Sequence, residues 1–177
     1  MENHKLVSND AKIISINTSK KKGTKKRSVG DIPVKVICNF GIENDAHAGD
    51  WHRQVSFLAD ESIQKVRDAG IDVDCGSFAE NFTTVGVDLK NLPLGTLLKL
   101  GDEVEVEISQ IGKICHTKCA IYHLMGDCIF PKEGIFAVVR KQGDVKAGDK
   151  ITLLSIGNGT CDATPPEALE ELKKAQA

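Results

Sequence analysis

Three of the chain's six cysteines, Cys115, Cys119 and Cys128, lie between positions 115 and 128. Cys115 follows Lys113, directly precedes His116 and has Lys118 close by. Positive charge beside a thiol raises the thiolate fraction, and the thiolate is the form that ligates a metal or carries sulfur. Zinc held by the three cysteines and a histidine is an alternative. Its spacing, however, is not the paired short pattern of a structural zinc site. Two buried cysteines packing a loop are the third reading.

Two other stretches concentrate polar chemistry. Positions 41–55 hold two glycines, several acids, His47, His52, Arg53 and the only tryptophan, Trp51. Such a loop turns sharply and offers Arg53 as a fork donor for an anion or a carbonyl. Asp45, His47 and His52 are metal-type ligands at a spacing that matches no common template. The competing reading is a polar turn whose acid and arginine satisfy one another. Positions 76–86 set Glu80 and Asn81 beside two threonines, between the apolar anchors Phe78 and Phe82. They form either a ligand-reading patch or a loop braced by side chain to backbone bonds.

The elements that must position these residues read as mostly β. Short apolar segments separated by Gly, Pro, Asn and Asp predict strands over 12–17, 34–38, 54–58, 96–100, 104–110, 134–140 and 150–155. In the strand over 104–110, Val104, Val106 and Ile108 alternate with Glu105 and Glu107, as expected of one dry and one wet face. Helices are predicted over 60–69, where Ile63 and Val66 share a face, and over 167–176 after Pro165 and Pro166. Cys115 then falls on a loop after a strand, at the rim of a β-barrel with a few peripheral helices. No linker divides the 177 residues, so one domain is expected, with its core over about 13–154.

Composition narrows the class. A net charge of -2 argues against a nucleic-acid binder, and the basic run over 20–27 has no interleaved aromatics. No apolar run is long enough to span a bilayer, which predicts no membrane partner. Positions 1–13 lack a secretory apolar core, so a cytoplasmic location and reduced thiols are expected.

In order and spacing, three segments resemble the MOSC family, named after the C-terminal domain of molybdenum cofactor sulfurases. They are Gly41-Ile-Glu-Asn-Asp-Ala-His47 with Arg53-Gln-Val55, Gly76 through Thr84, and Gln110-Ile-Gly-Lys-Ile-Cys115. The stretch from Gly126 to Phe136 is similar to that of stand-alone bacterial members. Asn44 stands where glycine is commoner before the aspartate, and Asn is among the residues that tolerate a left-handed backbone. The resemblance implies a MOSC-type β-barrel in a pyridoxal phosphate-associated family, and molybdenum cofactor (molybdopterin) as ligand. It also implies that Cys115, or Cys119 four residues later, ligates molybdenum or carries sulfur. A sulfur-donor protein or a molybdoenzyme would then be the partner.

Within that frame Arg53, with the basic run, would bind the cofactor's phosphate end, Glu80 and Asn81 would contact its ring or order the pocket, and Asp45 and His47 would contact the cofactor. Lys21, Lys25 and Lys26 would hold its phosphate as an exposed cluster. A merely solvated charge run is the alternative for the lysines. For the protein as a whole, the rival is a zinc- or thiol-stabilised interaction module without a pterin. Sulfur transfer and molybdenum-dependent redox chemistry are both compatible with the motifs.

Overall fold

The computed structural model describes residues 6–114, 120–126 and 128–176. Its strands in chain order are β1 (Val7–Thr18), β2 (Arg27–Ser28), β3 (Val34–Ile37), β4 (Gly41–Ile42), β5 (Val55–Ala59), β6 (Phe82–Val87), β7 (Leu97–Leu100), β8 (Val104–Ile111), β9 (Ile135–Lys141), β10 (Gly143–Val145) and β11 (Ile151–Ser155). The α-helices are α1 (Asp60–Asp68), α2 (Ala120–Met125), α3 (Phe130–Glu133) and α4 (Pro166–Gln176). Eight strands form one sheet in the order β11-β7-β8-β9-β5-β6-β1-β2, and β10-β3-β4 form a second, smaller one.

The large sheet curls because its far members meet. The Ile13 N–H donates to Asp149 O at 2.9 Å, the Gly148 N–H donates to Ile13 O at 2.7 Å, and Lys12 bridges Lys150. Two irregularities in the β1–β6 register and two in the β8–β9 register bend the strands toward this contact. The expected mostly β, barrel-like fold is what forms. Its interior is apolar: Ile13, Phe57, Phe82, Leu98, Leu100, Ile108 and Ile135 are fully buried, and Phe57 stacks on Phe82 with centroids 4.9 Å apart.

Seven predicted strands appear within one or two residues of their expected limits at most ends, but β1 begins five positions early, at Val7 rather than residue 12. Ser8, Asn9 and Asp10 are exposed there and hide the strand from its pattern, although Val7 and Ala11 are buried. β6 was not predicted. It lies between β5, which it meets in parallel, and β1, with residues of both parities buried, so no alternation marks it. α1 joins β5 to β6 as a crossover and buries Ile63 and Val66 against a second apolar cluster that includes Leu58, Phe78, Ile121, Phe130 and Phe136. β4, β10, α2 and α3 are too short to leave a periodic signal. No described helix is long and apolar enough to cross a membrane.

Candidate functional site

Asp45 ties three segments together. Its Oδ1 accepts from the Ser19 N–H at 3.0 Å and from Lys26 Nζ at 2.6 Å, and its Oδ2 accepts from the His47 N–H at 3.1 Å. The turn that delivers it uses Asn44 at φ 63°, in the left-handed region. Gly41 is required where the turn returns to the sheet, because a Cβ there would sit 2.5 Å from Gln54 O. Burial alone would push the Asp45 carboxyl up, but the Lys26 ammonium and the Ser19 N–H hold it below its ordinary value. Burial pulls the Lys26 ammonium down, against the opposing pull of Asp45. With side chains 0 % and 1 % exposed, the two are a buried ion pair. Lys21 and Lys25 are exposed as expected. Lys26 is not: the exposed three-lysine cluster loses its third member to Asp45.

The 76–83 loop is braced from inside. Glu80 is fully buried and accepts from the Gly76 N–H at 2.5 Å, the Phe78 N–H at 3.2 Å and Thr83 Oγ1 at 2.9 Å. Burial raises its carboxyl pKa, partly offset by those donors. Asn81 accepts at Oδ1 from the Ser56 N–H at 3.0 Å, and its Nδ2 donates to Asn17 O at 3.2 Å. Gly76 packs against the 20–27 segment so closely that a Cβ would lie 2.3 Å from Lys26 O.

Beside these braces lies a cavity of about 100 Å³ lined by His47, Trp51, Arg53, Ser56, Asn81 and Lys113, with Ala79 and the rings of Phe78, Phe130 and Phe136. Arg53 donates from Nε to Gln110 Oε1 at 2.9 Å, lies 3.6 Å through Nη2 from Glu171 Oε2 on α4, and sits over Phe136. Lys113 Nζ lies over the Phe130 ring at 5.1 Å, and Lys22 Nζ lies over Trp51 at the same distance. Trp51 Nε1 donates to His47 O at 2.8 Å. Burial, and then the charge of Lys26, push the His47 imidazole down to about 4, so it is neutral near pH 7. The cavity thus offers a guanidinium, an ammonium, a neutral imidazole and an amide, with no carboxylate among the described residues that line it. That set suits a small anionic or oxygen-rich group.

A second concavity, a wide groove of about 1300 Å³, runs along the basic segment. Lys20, Lys21, Thr24, Lys25, Lys26 and Arg27 line it together with Glu43, Asp74 and Cys75, although the Lys26 side chain is itself buried. The predicted residues therefore divide. His47, Arg53 and Asn81 meet at the cavity, Lys26 and Asp45 lie behind His47, Glu80 braces the loop, and Lys21 and Lys25 face the groove. Cys115 and Cys119 lie outside the described residues, but Lys113, two positions before Cys115, is in the cavity wall. Ser56, Lys22, Phe130 and Phe136 were not foreseen. Phe130 and Phe136 do fall inside the resembling 126–136 segment, which was the available signal.

The metal-type residues of the 41–55 turn do not assemble. His52 bonds through Nε2 to Gln110 Oε1 at 2.8 Å. Among the described residues the one gathering of three such ligands is Glu107, Cys161 and Asp162. Arg140 already bridges it, donating from Nε to Glu107 at 2.6 Å and from Nη2 to Asp162. Cys128 is buried in the second apolar cluster beside Phe130 and Phe136.

Comparison with known proteins agrees with this architecture. The family model described as MOSC domain matches residues 44–152. No curated protein matches the chain. Among solved structures, YiiM from Geobacillus stearothermophilus aligns over 94 % of this chain and 100 % of its own, at 20 % identity and a TM-score of 0.67. The YUAD protein from Bacillus subtilis aligns over 80 % of this chain and 93 % of its own, at 17 % identity and a TM-score of 0.67. YiiM from Escherichia coli aligns over 90 % and 74 %, at 19 % identity and a TM-score of 0.57. At these identities the likeness is one of fold.

Proposed function

Because the chain belongs to the MOSC domain family, which is associated with molybdenum cofactor, we propose that it binds that cofactor in the cytoplasm at the cavity beside Arg53. The observation that carries this reading is the lining: donors converge at a cavity whose wall includes Lys113, two positions before Cys115 in the sequence. A volume of about 100 Å³ is below the 300 Å³ or so of the smallest ordinary ligand pockets. The described walls therefore enclose one end of the ligand, an anionic or oxo-bearing group, rather than a whole pterin.

Arg53 provides directed donors, held in place by Gln110 and stacked on Phe136. Asn81 lines the cavity, the buried Glu80 braces the loop that carries it, and the rings of Phe78, Phe130 and Phe136 form the apolar part of the lining. Cys115, or Cys119, supplies the thiolate that ligates molybdenum or carries sulfur, with Lys113 and Lys118 favouring its charged form. When bound, the cofactor would supply the redox or sulfur-accepting centre; a sulfur-donor protein or a molybdoenzyme is the partner class. Lys21 and Lys25 act only by screened attraction across the groove.

The test is purification of the full chain from a molybdenum-replete host, followed by metal analysis and pterin fluorescence. Molybdenum and pterin in equal amounts are expected. Arg53→Lys should lower retention of both about tenfold, the order expected when a charge-assisted hydrogen bond is lost. Cys115→Ser should release the metal and spare the pterin. Stoichiometric zinc without pterin would instead establish the thiol-stabilised interaction module.

A further inference from the structure

Lys26 Nζ stands between two acceptors, 2.6 Å from Asp45 Oδ1 and 3.0 Å from His47 Nδ1. An ammonium has three donors and no lone pair, so the imidazole nitrogen facing it must be the unprotonated one. The alternative, Nδ1–H, lacks a carboxylate to receive it, since Asp45 Oδ2 lies 4.0 Å away and already accepts the His47 N–H. A neutral Lys26 amine that accepted from Nδ1–H would leave Asp45 as an uncompensated charge at 1 % exposure, which is costly. The ring's backbone is held from the other side, where Trp51 Nε1 donates to His47 O.

We propose that the buried Lys26–Asp45 pair is a tautomer clamp that presents His47 to the cavity as a neutral Nε2–H donor. Lys26 and Asp45 are positioning residues, and His47 is the specificity residue they set. Among the described residues the charged groups acting most on the ring are Lys26, Asp45, Lys22 and Lys113, three cations against one anion, which favours the neutral ring that the tautomer requires. A clamped Nε2–H selects for an acceptor oxygen in the ligand. It also rejects a metal at that nitrogen, because coordination there would move the proton to Nδ1 and abolish the Lys26 bond. This deepens the cavity reading above and rests on it for its functional meaning; the tautomer itself does not.

The experiment is a long-range ¹H–¹⁵N correlation spectrum of the full chain labelled at histidine, near pH 7 without ligand. His47 is assigned by loss of its signals in His47→Gln. The expected pattern is a pyridine-type Nδ1 and a pyrrole-type Nε2. In the double variant Lys26→Met/Asp45→Asn, which removes both buried charges together, both tautomers should be populated, while the ring pKa should rise only slightly, because burial, the larger cause of its lowering, remains. Inorganic phosphate should shift the Nε2 signal in the parent and leave Nδ1 pyridine-type. A pyrrole-type Nδ1, an imidazolium near pH 7, or an unchanged tautomer in the double variant overturns the clamp whatever phosphate does. A pyridine-type Nδ1 with no response to phosphate leaves the clamp standing and overturns the cavity as an oxyanion site.

Discussion

The groove and the buried layer behind His47 hold cations of the same basic segment in opposite physical conditions. Lys21 and Lys25 line the groove in full solvent, with Glu43 and Asp74 on the same walls. Lys26 belongs to the same wall, but its side chain turns inward, where it has lost its water and gained Asp45 and His47. Charge in water is screened within about 8 Å at physiological salt, whereas a desolvated charge organises everything it touches. One position along the chain separates a solvated lysine from one that fixes a site.

The largest break in that comparison comes from removing each lysine in turn. Lys26→Met strands Asp45 without its partner, and breaking a buried pair in this way costs about 3–5 kcal/mol. Lys21→Ala and Lys25→Ala should each stay within about 0.5 kcal/mol of the parent. Urea unfolding midpoints at neutral pH measure all three. A Lys26 variant as stable as the other two would remove the distinction between the regions.

A titration sharpens the comparison with a somewhat smaller effect. Unfolded, His47 takes a proton near 6.5; in the fold it does so only near 4. Between those values the unfolded chain binds more protons, so stability falls as pH drops from 6.5 to 4. Full linkage gives a loss of up to about 3 kcal/mol, and the ring's partial exposure reduces it. Glu80, whose carboxyl is raised by burial, acts in the opposite sense. The diagnostic quantity is therefore the parent minus His47→Asn, measured by urea unfolding across this window. The difference should shrink on acidification, whereas the parent minus Lys21→Ala should stay flat.

What the sequence disclosed, and what it withheld, follows the same division. Arg53 and Asn81 were legible because a fork donor and an amide sat in polar turns next to strands. The left-handed Asn44 was legible as a tolerant residue at a turn. Lys26 was illegible: within 20–27 nothing local distinguishes it from Lys25, and its inward direction is set by Asp45, distant in sequence. Glu80 suggested ligand contact by type, yet its oxygens are held by its own loop, the bracing alternative that its Asn and Thr neighbours also allowed. β6 was hidden because burial on both faces erases alternation. Cys115 and Cys119 lie outside the described residues, so their roles rest on the resemblance and on Lys113 in the cavity wall.

The smallest expected effect concerns how the two regions turn their backbones. The groove's basic segment turns at Gly23, φ 74°, with open space where a Cβ would be. The cavity wall turns at Ala79, φ 64°, where an L-residue bears about 1–2 kcal/mol of steric cost. Ala79→Gly removes that cost but enlarges the unfolded ensemble by about 0.4–1 kcal/mol. The net expectation is stabilisation of about 0.5 kcal/mol, a rise in Tm of about 1–2 °C for a domain of this size. Gly23→Ala reverses both contributions and should lower Tm by a similar amount, with no clash to add. Paired thermal melts of the two variants read the difference directly. If Ala79→Gly destabilises instead, the Ala79 methyl is contributing packing to the cavity wall that outweighs its backbone strain, and the wall is tighter than its left-handed turn implies.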